Sequence, residues 1–369
     1  MIEYLKFKIA EQTTFEPSMT SCEHPKIWQL IDTSAIGGIE RHIEMLASGL
    51  RMAGYNCEVV LYDNHGKNPW FEQLEAAQIP FRVLKGSPQD LHKTIKSERP
   101  DLIHTHGYKA GILGRAVARL AGTPVVSTFH SGERGKFPVS LYQYLDEKSA
   151  FLAPAIAVSK PIRARLPAGS ELMHNFVTMP ANAADVTKSN SRIGFVGRMS
   201  HEKGPDHFCA LAKALKDKPG FERTSWHAYG DGPMLTKLKA SSSQDVTFHG
   251  LKTDMAPIWP TLDLLVMPSR AEGMPLAVLE ALSHGIPVVA SNLGALPDVI
   301  DHGKTGFLFK PVDREKAAQH ITEWALMSTT DKTAMFTECR ATIRENFIFK
   351  TRLKKLLRIY KKSGFKAAA

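Results

Sequence analysis

From about residue 26 onward, short runs of β-branched and other apolar residues alternate with longer segments in which apolar side chains recur every three or four positions. "KIWQLIDT" reads as a strand. "GGIERHIEMLASGLRMAGY" reads as a helix, because Ile39, Ile43, Leu46 and Leu50 share one face, and "CEVVLYD" reads as the next strand. The rhythm continues through "DLIHTHG", "KAGILGRAVARLAG" and "PVVSTFH" to "APAIAVS". It stops at the small, polar stretch "VTMPANAADVTKSNSR" and restarts with "RIGFVGR", "GPDHFCALAKALKD" and "TSWHAYGDG". Strands alternating with helices of this length form a parallel sheet covered on both faces. The pattern therefore predicts an N-terminal tail (1–25), a doubly wound α/β domain (26–176), a linker (177–192), a second such domain (193–346) and a C-terminal basic helix (347–369). In such sheets ligands bind outside the carboxyl ends of the strands, so two facing domains place their chemistry at strand ends in a shared cleft.

Composition narrows the class. Charged residues scatter through the first 25 positions, which lack the unbroken apolar core of a secretory signal, and no apolar run reaches the roughly 20 residues that span a bilayer. Cys22, Cys57, Cys209 and Cys339 lack metal-finger or CxxC spacing, so reduced thiols and a cytoplasmic location are expected. A net charge of +10 points to anionic partners. Eight Lys or Arg fall between Lys350 and Lys366 with no acidic residue. There Leu353, Leu356, Leu357 and Tyr360 line one helical face; such a helix either lies on an anionic membrane or packs into a core with a solvated outer face.

The candidate chemistry sits at strand ends. In "GFVGRMSHEKG", Arg198 and Lys203 follow a strand closed by Gly197; two cations five residues apart suit a diphosphate, and equally an ordinary solvated loop. In "SRAEGMPLAVLEALSHG", Glu272 precedes and Glu280 lies inside a helix with Pro275 in its first turn. The backbone N–H groups around Gly273, Met274 and Leu276 would face an anion, aided by the helix dipole. Each carboxylate can accept from vicinal hydroxyls of a ribose or hexose, or act as a cap or surface ion pair. Gly37 and Gly38 open the first helix, where backbone can approach a ligand or simply turn. His104 and His106 share one face of a strand, with His106 nearer its end, and His130 ends another. There is no GxGxxG, no P-loop and no Asp-x-Asp, so no metal or cofactor is expected, and Arg198 and Lys203 would neutralise the diphosphate instead.

These three motifs, in this order and each at a strand end, closely resemble those of family 4 of the retaining glycosyltransferases. The resemblance covers nearly the whole chain from residue 26, and implies the GT-B fold: two facing doubly wound Rossmann-like domains, an acceptor side N-terminally and a nucleotide-sugar side C-terminally, with the last helix crossing back. "EGMPLAVLEAL" looks like the E-x7-E motif. The resemblance implies Arg198 and Lys203 on the donor diphosphate, Glu280 on the ribose, Glu272 on hydroxyls of the transferred sugar, Gly38 near donor phosphate or acceptor, and His130 near that sugar, with His106 a weaker match. It further implies metal-independent transfer with retained configuration. The sequence departs at "LGALPD", where Gly294 is kept and Asp298 replaces a glutamate.

The expected activity is transfer of a sugar from a nucleoside-diphosphate donor, a UDP-sugar by expectation, to a hydroxyl acceptor. The expected acceptor is a glycolipid or a cell-envelope polysaccharide or lipopolysaccharide precursor at the inner membrane face. Alternatives are another GT-B enzyme such as a sugar-nucleotide epimerase, or a non-enzymatic nucleotide-sugar binder. Nucleic acid is not an expected partner, since the basic run lacks interleaved stacking aromatics beyond Tyr360 and Phe365.

Overall fold

The computed structural model describes residues 24–132, 135–181, 184 and 190–366. Apart from His24 and Pro25, the expected tail lies outside the described residues, as do residues 182–183 and 185–189 of the expected linker and Cys22.

The N-terminal half runs β1 (Lys26–Ile31), α1 (Gly38–Met52), β2 (Asn56–Leu61), α2 (Trp70–Ala76), β3 (Phe81–Val83), α3 (Pro88–Glu98), β4 (Leu102–His106), α4 (Tyr108–Ala121), β5 (Val125–Phe129), α5 (Val139–Lys148), β6 (Ala155–Ala157), α6 (Lys160–Arg163) and β7 (Glu171–Leu172). Its sheet has the order β3-β2-β1-β4-β5-β6-β7. The C-terminal half runs β8 (Ser191–Val196), α7 (Pro205–Leu215), β9 (Thr224–Tyr229), α8 (Leu235–Ser242), β10 (Thr247–Gly250), β11 (Leu264–Met267), α9 (Leu276–Ser283), β12 (Val288–Ser291), β13 (Gly306–Phe309), α10 (Arg314–Ala325), α11 (Thr329–Asn346) and α12 (Phe349–Lys362). Its sheet has the order β10-β9-β8-β11-β12-β13. Every strand pair in both sheets is parallel. The winding reverses between β1 and β4 and again between β8 and β11, which opens a crevice at the carboxyl end of each sheet.

Central strands are buried on both faces, as parallel sheets require: all five residues of β4 and all five of β5 are buried. One element falls outside the hydrophobic pattern. Helix α5 is not foreseen at all, because its one buried side chain is Asp146 and its apolar residues face water.

Helix α12 packs on the N-terminal domain. Leu356, Ile359 and Tyr360 are fully buried in the core that holds Ile27, Ile43 and Leu46, and the Tyr360 hydroxyl lies 2.9 Å from Nδ1 of His104. Gly49 on α1 makes room for the Phe349 ring, where a Cβ would come within 2.6 Å. The apolar face that the sequence offers to a bilayer is therefore spent on protein. Its cations are partly spent too: Lys355, Arg358 and Lys362 surround Glu171 at 3.9, 3.4 and 2.6 Å. The two places where the chain changes domain lie side by side, with Val177 bridged to Ile348 and its N–H donating to the Phe347 carbonyl at 2.8 Å.

Candidate active site

At the carboxyl end of β8, Gly197 turns the chain and Arg198 is exposed, with no acidic partner among the described residues. The turn is crowded: a Cβ on Gly230 would lie 2.0 Å from the Gly197 carbonyl oxygen. Lys203 closes the 3-10 turn His201–Lys203. Gly204 follows with φ +68, where a Cβ would lie 2.1 Å from the Pro268 oxygen, so only glycine fits. That close approach brings Lys203 onto Glu272, with Nζ 2.9 and 2.7 Å from the two carboxylate oxygens. Ser269 Oγ donates to the same carboxylate at 2.8 Å, and the Glu272 side chain is 2% exposed.

After Glu272, α9 begins at Leu276, with Pro275 extended (φ −71, ψ 125) as its cap; the proline stands just before the helix, not in its first turn as the sequence suggests. The N–H groups of Gly273, Met274 and Leu276 donate to no other described residue. Their carbonyl side is held: Ala295 N–H donates to the Gly273 oxygen at 2.8 Å and Asn175 Nδ2 to the Met274 oxygen at 2.8 Å. Gly294, at φ +57, leaves no room for a side chain, since a Cβ would lie 2.4 Å from the Gly273 oxygen and 2.5 Å from that of Glu272. Asp298, the departure in this loop, pairs instead with Lys160 and His174 of the N-terminal domain.

Glu280 lies one turn into α9 and accepts from Trp259 Nε1 at 3.2 Å. Arg41 of α1 approaches it from the other domain at 3.6 Å while pairing with Glu44 at 3.0 Å. Burial raises the Glu280 pKa, and Arg41 and Trp259 oppose that rise. Gly37 and Gly38, at the start of α1, are exposed. Gly37 is extended, and a Cβ on Gly38 would meet nothing within 4 Å, so the fold itself gives no reason for glycine at Gly38.

The histidines form one cluster beneath these loops. His106 joins Gln29 Oε1 at 2.9 Å and His130 Nε2 at 3.1 Å, and His104 lies 2.7 Å from Thr128 Oγ1. His130 borders the second domain directly, because a Cβ on Gly273 would lie 2.3 Å from its carbonyl oxygen. Sequence reasoning misses a fourth member, His42 of α1. Its ring lies 5.0 Å from that of His130, it is buried, and neither ring nitrogen has a hydrogen-bond partner. Its place on the inner face of an amphipathic helix was the available signal. Burial pushes His104 down to about 3 and His42 to about 4, and holds His106 and His130 well below the ordinary range, so all four are neutral imidazoles at pH 7.

Among the described residues two groups converge closely enough to share a cation, His42 with His106 and His130, and Asp32 with Asp63 and His65. In the second, Lys109 already lies 3.0 Å from Asp32 and 3.7 Å from Asp63. In chemical terms the cleft offers a carboxylate at either end, Glu272 and Glu280, with free N–H groups and cations between: an arrangement for hydroxyls flanking a polyanion.

Residues 36–171 match the family model described as Glycosyltransferase Family 4, and residues 190–325 match that described as Glycosyl transferases group 1. The UDP-Gal:alpha-D-GlcNAc-diphosphoundecaprenol alpha-1,3-galactosyltransferase of Escherichia coli is 30% identical over 307 residues, covering 73% of this chain and 77% of that one. The D-inositol 3-phosphate glycosyltransferase of Arthrobacter sp. (strain FB24) is 25% identical, with 78% and 80% covered. Among solved structures, Anabaena Alr3699/HepE in complex with UDP superimposes with a TM-score of 0.77 at 20% identity, covering 91% of this chain and all of the other. The lipopolysaccharide outer core galactosyltransferase WaaB gives a TM-score of 0.67 at 19% identity, with 91% and 99% covered. At these identities the two structures speak for the fold.

Proposed function

The chain belongs to glycosyltransferase family 4 and has the GT-B fold, and from that premise we propose that it is a retaining, metal-independent transferase moving a hexose from a UDP-sugar to a hydroxyl of a lipid-linked or cell-envelope glycan acceptor. The observation that carries this reading is the run from Glu272 to Glu280: two carboxylates flanking unpaired helix-start N–H groups, with Arg198 and Lys203 alongside. Glu280 would accept from the ribose, the N–H groups and both cations would hold the diphosphate, and Glu272 would hold hydroxyls of the transferred sugar. In transfer, the bond from the anomeric carbon to the diphosphate oxygen breaks, the acceptor hydroxyl oxygen bonds to the same face of that carbon and gives its proton to the departing UDP, on which negative charge grows. Preorganised donors around that charge lower the barrier; removing one such donor from an enzyme costs about 10²–10³ in rate.

Glu272 is a positioned acceptor in this scheme. Both its oxygens accept from Lys203 and one also from Ser269, which fixes the carboxylate in place and leaves its remaining lone pair for a sugar hydroxyl. Neutral His130 serves as a hydrogen-bonding group for a sugar hydroxyl. The UDP-Gal in the name of the Escherichia coli relative favours uracil as the base. The diphosphoundecaprenol acceptor in that relative's name favours a lipid-linked substrate.

A thermal-shift screen of nucleotide sugars tests the donor, because a ligand in excess raises the melting temperature by mass action. UDP-sugars should stabilise the protein with chelator present, and Arg198→Ala should abolish the shift. Stabilisation by GDP- or ADP-sugars alone, or donor isomerisation with no acceptor present, would overturn the reading in favour of another donor or an epimerase.

A further inference from the structure

Helix α5 is inside out. Its inner side is fixed by an ion pair, with Asp146 Oδ1 2.7 Å from Nη2 of Arg115, a fully buried guanidinium that also donates to Ser127 and Ser149. Gly111 makes room for this carboxylate, since a Cβ there would lie 2.4 Å from Asp146 Oδ1. Its outer side is apolar: Phe137, Leu141, Tyr144, Leu145 and Phe151 recur at helical spacing through the 3-10 turn Ser149–Leu152 that extends the helix. Phe137 is 81% and Phe151 71% exposed, and the three between them are each more than 40% exposed. Leu120, at the end of α4, is 77% exposed at the same edge, where Arg119 bonds the Leu152 carbonyl. Scattered exposed apolar residues are normal, whereas a contiguous stripe marks a surface with a partner.

We infer that this stripe is a membrane-docking face, seated in the headgroup region of an anionic bilayer. Charge selects that occupant. Lys136, Lys148 and Arg119 fringe the stripe with no acidic partner among the described residues, while Glu147 is already paired with Arg165. Lys148 lies over the Tyr144 ring at 5.5 Å, so its stem covers apolar surface while its ammonium reaches outward. Tyr144 and Tyr142 add amphipathic rings suited to an interface. A second copy of the chain would set these unpaired cations against one another. The stripe also adjoins the cleft. The loop between β5 and α5 carries Gly132, where a Cβ would fall 2.0 Å from the Glu272 carbonyl oxygen, so a bilayer against α5 holds a lipid-linked acceptor near His130 and Glu272. The last step rests on the acceptor proposed above; the docking face itself does not.

Flotation of the full chain with phosphatidylethanolamine–phosphatidylglycerol vesicles tests the docking face. The parent should float with these vesicles and less with pure phosphatidylcholine. Leu141→Ser/Leu145→Ser/Phe151→Ser should lower the bound fraction by about tenfold or more, and Lys136→Glu/Lys148→Glu should lower binding to the anionic vesicles alone. Lys354→Glu/Lys361→Glu on α12 should leave binding unchanged. UDP-induced thermal shifts should survive in all three variants, which separates this inference from the donor assignment and confirms folding. A parent that stays unbound, a serine variant that floats like the parent, or loss of flotation on the α12 substitutions overturns the inference. A parent dimer by light scattering that the serine variant converts to monomer assigns the stripe to self-association and overturns it as well.

Discussion

Lys203 and Glu272 hold each other across a loop junction, one ammonium against both oxygens of a carboxylate that is almost wholly buried. Each is the other's compensation for leaving water. Lys203 is 29% exposed and Ser269 also serves the carboxylate, so removing Lys203 leaves Glu272 short of one partner at a cost of about 1–3 kcal/mol. Lys203→Ala should therefore lower both the melting temperature and kcat. Lys203→Ala/Glu272→Gln should recover most of the stability without recovering turnover, by thermal denaturation and acceptor-dependent UDP release. If the double variant is as unstable as the single, the pairing does not carry the stability assigned to it.

The glycines separate ligand from fold. At Gly294 both φ +57 and two carbonyl oxygens forbid a side chain. Gly294→Ala should destabilise by at least about 1–3 kcal/mol, the strain of the left-handed backbone, with the two carbonyl clashes added to it. At Gly38 neither constraint applies. Gly38→Ala should melt within a few degrees of the parent yet lose about tenfold in kcat/KM, because backbone there approaches substrate. Equal melting and equal activity would leave Gly38 a plain turn.

Glu280→Gln keeps the shape and an oxygen for Trp259 Nε1, and removes the charge that faces Arg41. The variant should fold, and its UDP affinity by calorimetry should fall about tenfold, the loss expected when a charged acceptor of ribose hydroxyls becomes a neutral one. Unchanged affinity would remove Glu280 from the nucleotide site.

The histidine cluster makes stability depend on acid. Burial depresses the folded pKa of His104 to about 3 and of His42 to about 4, below the ordinary value of 6.5, so the unfolded chain binds protons first. Their contribution is intact above pH 6.5 and is lost as pH falls toward 4. At pH 5 the loss for His42 is about 2 kcal/mol. Urea denaturation at pH 7.5 and pH 5 should show it, and His42→Phe should shrink the difference by about that amount while His104 and its neighbours keep the rest. His42→Phe should also lower turnover at pH 7.5, if the ring's two unpartnered nitrogens serve a substrate hydroxyl.

Much of this site is legible in the sequence because its chemistry is local. Glu272, Gly273 and Glu280 lie within one loop and helix, and Arg198 and Lys203 within one strand-end turn, so spacing alone puts them near an anion. What escapes is set by distant segments. Gly294 meets Glu272 only when the loops after β11 and β12 come together, Arg41 meets Glu280 only when the two domains face each other, and the His42 ring reaches those of His106 and His130 only in the folded N-terminal domain. The basic C-terminal run shows where periodicity stops. Its period announces an amphipathic helix, yet period cannot say whether lipid or protein covers the apolar face; here Phe349 fills the gap left by Gly49, and Tyr360 reaches His104. The reverse holds for α5, where apolar residues that belong to no protein core were invisible to a search for cores.

The return of α12 also dictates an order of assembly. Leu356, Ile359 and Tyr360 complete a core whose other members begin at Ile27, so the first domain made is the last one finished. While the chain is being synthesised, its N-terminal half must wait with an uncovered apolar surface beside β1 and β5 until the final helix emerges. The second domain lacks that dependence and can close first, as a finished platform onto which the earlier half then folds.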